Sequence, residues 1–449
     1  MKKIAAMLLV GTAVLSLAAC GDSGTATKTP DGTVENRTAE DAAETPVTIN
    51  VITTYAGEDT NTGNYQAAIK AWQKETGNII NDTSSAVTET FKARIISEFE
   101  MGSEPDVLFY FNGVDSNPFV EAGKVVSIDE IRSIYPNYAT NMKDSMMGAS
   151  PVDGKNYSVP VNGYWEALYV NKEVCRNAGV KIPTADTTWD EFMEICQKVK
   201  DAGYIPIAAS FAEIPHYWFE FCIFNYLDPA THGILPQSLA DEHGQAWVNG
   251  ITDMKVIYES GFLPSNTLSA TDGETFQLFV DGKAAFLVDG SWKVGGIEDA
   301  ADDIDNFTIT YVPGKNNRKS TDIIYGLSSG WYITKKAWED PEKRKVCVDF
   351  VTYMTSDEMV SKFASVSATA LKNGTQVDES ALSSLALAGL DMVEGATGMA
   401  GAVQDQVTQE QRVPIFTGMP DIVTGKTEVD DAVQQTIDLM TEQYDEEYE

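Results

Sequence analysis

The stretch Val159–Lys172, VPVNGYWEALYVNK, constrains the fold more than any other part of this chain. Apolar and β-prone residues run to its end, which is the pattern of an extended segment. Its middle is interrupted by polar Asn162 and Glu166 and by the large rings of Tyr164 and Trp165. A strand that only fills a core has little use for a carboxylate flanked by rings. A strand that crosses between two lobes at a cleft exposes such residues to a ligand. These residues alone leave that reading open beside a half-exposed strand whose Glu166 is solvated.

At 449 residues the chain exceeds one ordinary hydrophobic core, so two lobes are expected. It starts with Lys2 and Lys3, continues as an apolar run from Ile4 to Ala19 and reaches Cys20. The run is shorter than the roughly 20 residues of a spanning helix and has the basic start of a secretory signal, here residues 1–19. Leu17-Ala18-Ala19-Cys20 resembles the lipobox of bacterial lipoproteins. That resemblance implies a lipidated Cys20 that anchors the protein at the cell surface, on the outer face of the cytoplasmic membrane. Residues 20–46 are rich in Thr, Ala, Asp and Gly and lack aromatics, so they bury too little surface to fold and form a flexible tether. Its mean reach is roughly 25 to 30 Å.

The formal net charge of −35 makes nucleic acid and anionic headgroups poor partners. Beyond Cys20 the cysteines are Cys175, Cys196, Cys222 and Cys347, widely spaced, with two of them on the apolar faces of predicted helices. Export permits disulfides, but this placement favours buried free thiols. The histidines, His216, His232 and His243, form no ligand motif, so neither a metal nor any other cofactor is expected.

From Val47 the pattern alternates strand and helix. VTINVITTY is followed by a helix that places Tyr65, Ala68, Ile69 and Trp72 on one face, and the polar loop between them carries Glu58 and Asp59. Ligands bind at that edge of open α/β sheets, although an ordinary solvated loop has the same composition. A second unit runs from about Thr90 to the strand VLFYF, with Tyr110 at its end and Asn112 and Asp115 in the loop beyond. Thr188 and Glu191 make a capping box for a helix that turns Trp189, Phe192 and Cys196 inward. FAEIPHYWFEF is either a pocket wall, with Trp218 facing a ligand, or a core helix beginning near Pro215. A strand from Ala284 to Val288 ends in Gly290-Ser291-Trp292, and a tryptophan straight after a glycine turn suits a cleft. NFTITYVPG and GLSSGWYIT supply further strands, the second carrying Trp331. Little can be placed between Lys372 and Gln411, and a final helix spans Glu428 to about Glu442.

In order and spacing, GSEPD (102–106), DGKNYSVP (153–160), EALYVNK (166–172), TWDEF (188–192) and GKAAFLVDGSW (282–292), with the lipobox, resemble the extracellular solute-binding protein family of ABC importers. The likeness, from Val47 to the end, is to the carbohydrate-binding branch that includes maltose-binding protein. It implies an α/β, two-lobe periplasmic-binding-protein-like fold with a hinge of crossing segments near Gly163, Tyr311 and Thr355. The lobes would be 47–164 with 312–354, and 165–311 with 355–449. It implies a monomer that captures a sugar or oligosaccharide and delivers it to membrane permease subunits. By the same resemblance Glu166 accepts hydrogen bonds from sugar hydroxyls and Trp292 is a stacking platform. Glu58, Asp59 and the segment Tyr110 to Asp115, with Tyr164, Trp218 and Trp331, complete the expected site. Where the family often has a tryptophan after the second strand, this chain has Tyr110 and Phe111. Two other readings use the same residues: an exported carbohydrate-active enzyme, whose chemistry also needs paired carboxylates, and a binding subunit that feeds a sensor kinase.

Overall fold

The computed structural model describes residues 45–448 except 365, 366, 368 and 375–378. Cys20, the signal segment and nearly all of the tether lie outside the described residues. The strands, in chain order, are β1 (Thr48–Ile52), β2 (Ile79–Asp82), β3 (Val107–Phe111), β4 (Tyr164–Asn171), β5 (Ile205–Ile207), β6 (Ala284–Gly290), β7 (Phe307–Thr310), β8 (Asp322–Gly326), β9 (Ser329–Ile333) and β10 (Gly398–Ala400). They form two sheets. The first has the order β2-β1-β3-β9, with β1 parallel to β2 and β3, and β9 antiparallel. The second runs β10-β8-β4-β6-β5, and β7 also pairs with β4.

Both sheets are covered on both faces, as period-two alternation requires of buried strands. Along β3, Val107 and Phe109 enter one apolar cluster and Leu108 and Tyr110 another. Along β4, Leu168 and Val170 face one way and Trp165, Ala167 and Tyr169 the other. Trp165 is therefore a core residue with no exposure. The expected two-lobe α/β architecture is present.

Two crossings between the lobes are explicit in the backbone pairing. Val159 exchanges hydrogen bonds with Trp331 of the first sheet (3.1 and 2.9 Å), whereas Tyr164 pairs with Gly326 of the second. The chain returns between β8 and β9, at 327–328. The expected boundary near Tyr311 is corrected by this. Strand β8 was unrecognised in the sequence, and its pairing with β4 and β10 keeps the chain in the second lobe up to Gly326. Likewise Met359, Val360 and Phe363 pack in the first-lobe core, so the chain does not leave that lobe at Thr355.

The Thr188–Glu191 capping box forms: the Thr188 hydroxyl accepts the Glu191 N–H (3.3 Å), and the Glu191 carboxylate accepts the Thr188 N–H (2.9 Å). The helix Trp189–Asp201 then buries Trp189, Phe192, Cys196 and Val199. Cys175, Cys196, Cys222 and Cys347 are buried free thiols. Within the Ala-, Ser- and Gly-rich stretch the helix Ser384–Glu394 packs on β7. It lies so close that a Cβ on Gly389 would sit 2.6 Å from the Trp165 ring.

Candidate functional site: the cleft between two sheets

A cavity of about 520 Å³ opens where the crossing segment meets both lobes. The loop after β1, the end of β3 and the crossing residues 162–163 form one wall. Tyr164 and Glu166 of β4, the first turn of the helix His216–Phe224, the turn after β6 and the loop Val403–Gln406 form the other.

The aromatic part of the wall follows from β4 and β6. Glu166 is opposite Gly290 in their antiparallel register, and the chain turns at Ser291–Lys293. The Trp292 ring folds back over Gly290, where a Cβ would stand 2.2 Å from its Cη2. Only glycine leaves that space. The ring lies 6.1 Å from Tyr164 and 5.7 Å from Tyr217, tilted by 54° and 43°, so three rings meet at one corner of the cavity.

The polar part is carboxylate-rich. Glu166 is 1% exposed, and among the described residues its Oε2 has no hydrogen-bond partner. Burial, reinforced by the nearby carboxylates of Glu220, Asp289 and Asp405, raises its pKa well above the usual carboxylate range. Asp405 is held in place from behind. Glu220, fully buried, accepts the N–H groups of Val403 (3.0 Å) and Gln404 (2.8 Å) and pairs with His232 Nε2 at 2.8 Å. The Tyr164 hydroxyl donates to Asp405 Oδ2 (3.2 Å), and enclosure pushes the Asp405 carboxyl up to about 6 against the pull of Lys92. Asp59, which accepts the Asn61 N–H (2.7 Å), is pushed up to about 7, again chiefly by enclosure.

Charged pairs join the lobes at two rims. Lys293 Nζ reaches Asp272 (2.6 Å) and Asp289 (3.9 Å) of its own lobe and Glu58 (2.9 Å) of the other. Beside it the Thr60 N–H donates to the Trp292 carbonyl (2.8 Å). At the second rim Asp115 sits between Lys92 (3.1 Å) and Arg412 (2.5 Å).

Of the residues expected at the site, Glu58, Asp59, Tyr164, Glu166 and Trp292 line the cavity. Five others do not. Tyr110 alternates into the cluster of Phe91, Phe99, Phe119 and Tyr332; its neighbour Phe111 lines the cavity, with Lys92 Nζ 4.5 Å from the ring. Asn112 turns away against Gly148. Asp115 is spent on the rim. Trp218 packs on Trp189 and Phe192 in the second-lobe core, because the helix His216–Phe224 offers only its first turn to the cleft. Trp331, with no exposure, contacts Tyr55, Phe109 and Phe350 under the first sheet. Sequence reasoning missed Tyr217, Lys92, Lys293 and Asp405. Only Tyr217 carried a signal, as the residue beside Trp218 in an aromatic run without a period.

Two sheets joined by crossing strands, with an aromatic and carboxylate-lined cavity between them, define a two-lobe ligand-capturing protein. Residues 67–383, well over half of the chain, match the model of the bacterial extracellular solute-binding proteins, and the chain belongs to that family. It is 23% identical over 377 residues to the multiple sugar-binding protein of Streptococcus mutans, an alignment covering 81% of each. It is 24% identical over 221 residues to the sn-glycerol-3-phosphate-binding periplasmic protein of Rhizobium meliloti, covering 49% of this chain and spanning half the length of that relative. Among solved structures a chitin oligosaccharide binding protein superposes with a TM-score of 0.74 at 19% identity, covering 88% of this chain and 98% of that one, which shows a shared fold. Among the described residues no helix is long and apolar enough to cross a membrane, and no group of His, Cys, Asp and Glu could hold a metal ion.

Proposed function

We propose that this protein captures a saccharide in the cleft and delivers it to the permease subunits of an ABC importer. One observation carries the reading: the ring corner of Trp292, Tyr164 and Tyr217 stands in the same cavity as Glu166 and Asp405. A sugar presents apolar C–H faces to rings and hydroxyl donors to carboxylates, so this combination matches both of its surfaces. The sugar-binding relative that aligns over most of the chain supports the same class. Glu58, Asp59, Tyr164, Glu166 and Trp292 are the proposed contacts. Closure of the lobes about the crossings buries the ligand and presents one joined surface to the membrane partner. The protein binds without turnover, as a monomer held at the cell surface through lipidated Cys20.

Calorimetric titration with neutral oligosaccharides and with sn-glycerol 3-phosphate, followed by chromatography of the recovered ligand, tests this. Saturable binding of an oligosaccharide that is recovered intact is expected. Hydrolysed ligand would instead establish an enzyme, and binding of glycerol phosphate alone would remove the saccharide. Cell fractionation of Cys20→Ala addresses the anchor: the variant should leave the membrane fraction, and unchanged retention would contradict lipidation.

A further inference from the structure

The cavity wall contains seven carboxylates, Glu58, Asp59, Glu166, Glu213, Asp272, Glu298 and Asp405, against two lysines, Lys92 and Lys293. Both lysines are already engaged by carboxylates, Lys92 with Asp115 and Lys293 with Glu58, Asp272 and Asp289. An anionic ligand would therefore find cations only by breaking the rim pairs. A second feature is independent of this balance. Glu166 is 1% exposed, lines the cavity and has an Oε2 without a hydrogen-bond partner among the described residues. Burying such a group unpaired is costly unless something enters to pair with it.

We infer that Glu166, with Asp405 beside it, is a charge-selecting subsite: the cleft prefers a saccharide bearing a free ammonium over its neutral counterpart and excludes one bearing carboxylate or phosphate. This rests on the saccharide reading above and specifies its ligand class. An ammonium has three donors and no acceptor, so it complements two carboxylates on one wall. A neutral hydroxyl satisfies Glu166 Oε2 more weakly, and a carboxylate adds a like charge to an enclosed group of acids. The groups facing Glu166 favour proton storage in the empty cleft: the carboxyls of Glu220, Asp289 and Asp405 and the phenol of Tyr164, with Lys293 3.9 Å from Asp289. Arrival of an ammonium should expel a stored proton.

The test uses trimers that differ only in charge, in β-1,4 and α-1,4 linkage: glucosamine, glucose and glucuronate. Titration at about pH 5.5, where the glucosamine amines arrive as ammonium and the uronates remain carboxylate, should rank amine above neutral by about tenfold and neutral above uronate by at least that much. Repeating the amine titration in buffers of different ionisation enthalpy should reveal proton release. Glu166→Gln, whatever it does to overall affinity, should bring the amine and neutral trimers to within about threefold of each other and reduce the proton release, and Asp405→Asn should weaken both in part. Uronate binding as tightly as glucose, or amine binding no tighter than glucose, overturns the inference and leaves the saccharide reading standing. Binding by none of the trimers overturns both.

Discussion

Lys293 Nζ stands 2.9 Å from Glu58 Oε2, and this pair joins one lobe to the other across the rim of the cavity. The two ends are unequal. Lys293 is 6% exposed and anchored by Asp272 and Asp289 of its own lobe, whereas Glu58 is 38% exposed on the loop after β1. Lys293 thus belongs to the fold of its lobe, and Glu58 is the part that can let go.

The first prediction separates these two roles. Glu58→Gln should change stability by no more than about 1 kcal/mol, since an exposed pair is screened. It should enlarge the radius of gyration of the ligand-free protein in small-angle scattering by loosening the rim. Lys293→Met should cost about 3 to 5 kcal/mol, because Asp289 and Asp272 lose their shared partner. Equal destabilisation by the two changes would contradict this division.

A second prediction concerns Trp292. Trp292→Ala should weaken saccharide binding about tenfold or more, the loss of roughly 1 to 3 kcal/mol of ring contact, with a near-normal apo melting temperature. Gly290→Ala should copy that affinity loss, because its new Cβ occupies the space of the Trp292 ring. A Gly290→Ala protein with full affinity would place the ring outside the binding surface.

The cleft acids make stability depend on pH in a definite direction. Asp59 and Asp405 have folded pKa values raised to about 7 and about 6, above the roughly 3.9 of an unfolded aspartate. Below about pH 4 both states are protonated and the contribution is whole; as pH rises toward 7 the unfolded chain ionises first and stability is lost. The melting temperature of the empty protein should therefore rise as pH falls from 7.5 to 5. Asp59→Asn and Asp405→Asn should each flatten that slope, and an unchanged slope in the double variant would count against the assignment.

Glu220 supports the site from outside the cavity. Removing it leaves His232 and the N–H groups of Val403 and Gln404 without their buried acceptor. Glu220→Ala should cost about 3 to 5 kcal/mol, read from urea denaturation. A loss below 1 kcal/mol would show that the loop carrying Asp405 holds itself.

The legible parts of this molecule are those written in local pattern. The apolar, β-prone run of β4 with its interrupting Glu166, the Thr188–Glu191 box and the glycine turn before Trp292 each declare their geometry within a few residues, so the crossing strand and two site residues could be named from them. Trp218 and Trp331 could not be placed, since whether a ring in an aromatic run faces a cleft or a core depends on which turn of the helix or strand reaches the rim. Tyr217 and Trp218 differ by one position and fall on opposite sides of that divide. Lys293 and Asp405 join the site through partners more than ten residues away, among them Glu58 and Tyr164, and no spacing encodes them. The helix Ser384–Glu394 was hidden for another reason: its contact surface is made of small residues, whose close approach carries little hydrophobic signal.

A crystal structure of the complex with the tightest-binding oligosaccharide shows directly whether a saccharide lies between the lobes against Trp292. The expected result is a pyranose ring stacked within about 4 Å of the Trp292 indole, with ligand donors on Glu166 and Asp405. A saccharide bound elsewhere on the molecule, with Trp292 and Glu166 untouched, would contradict it.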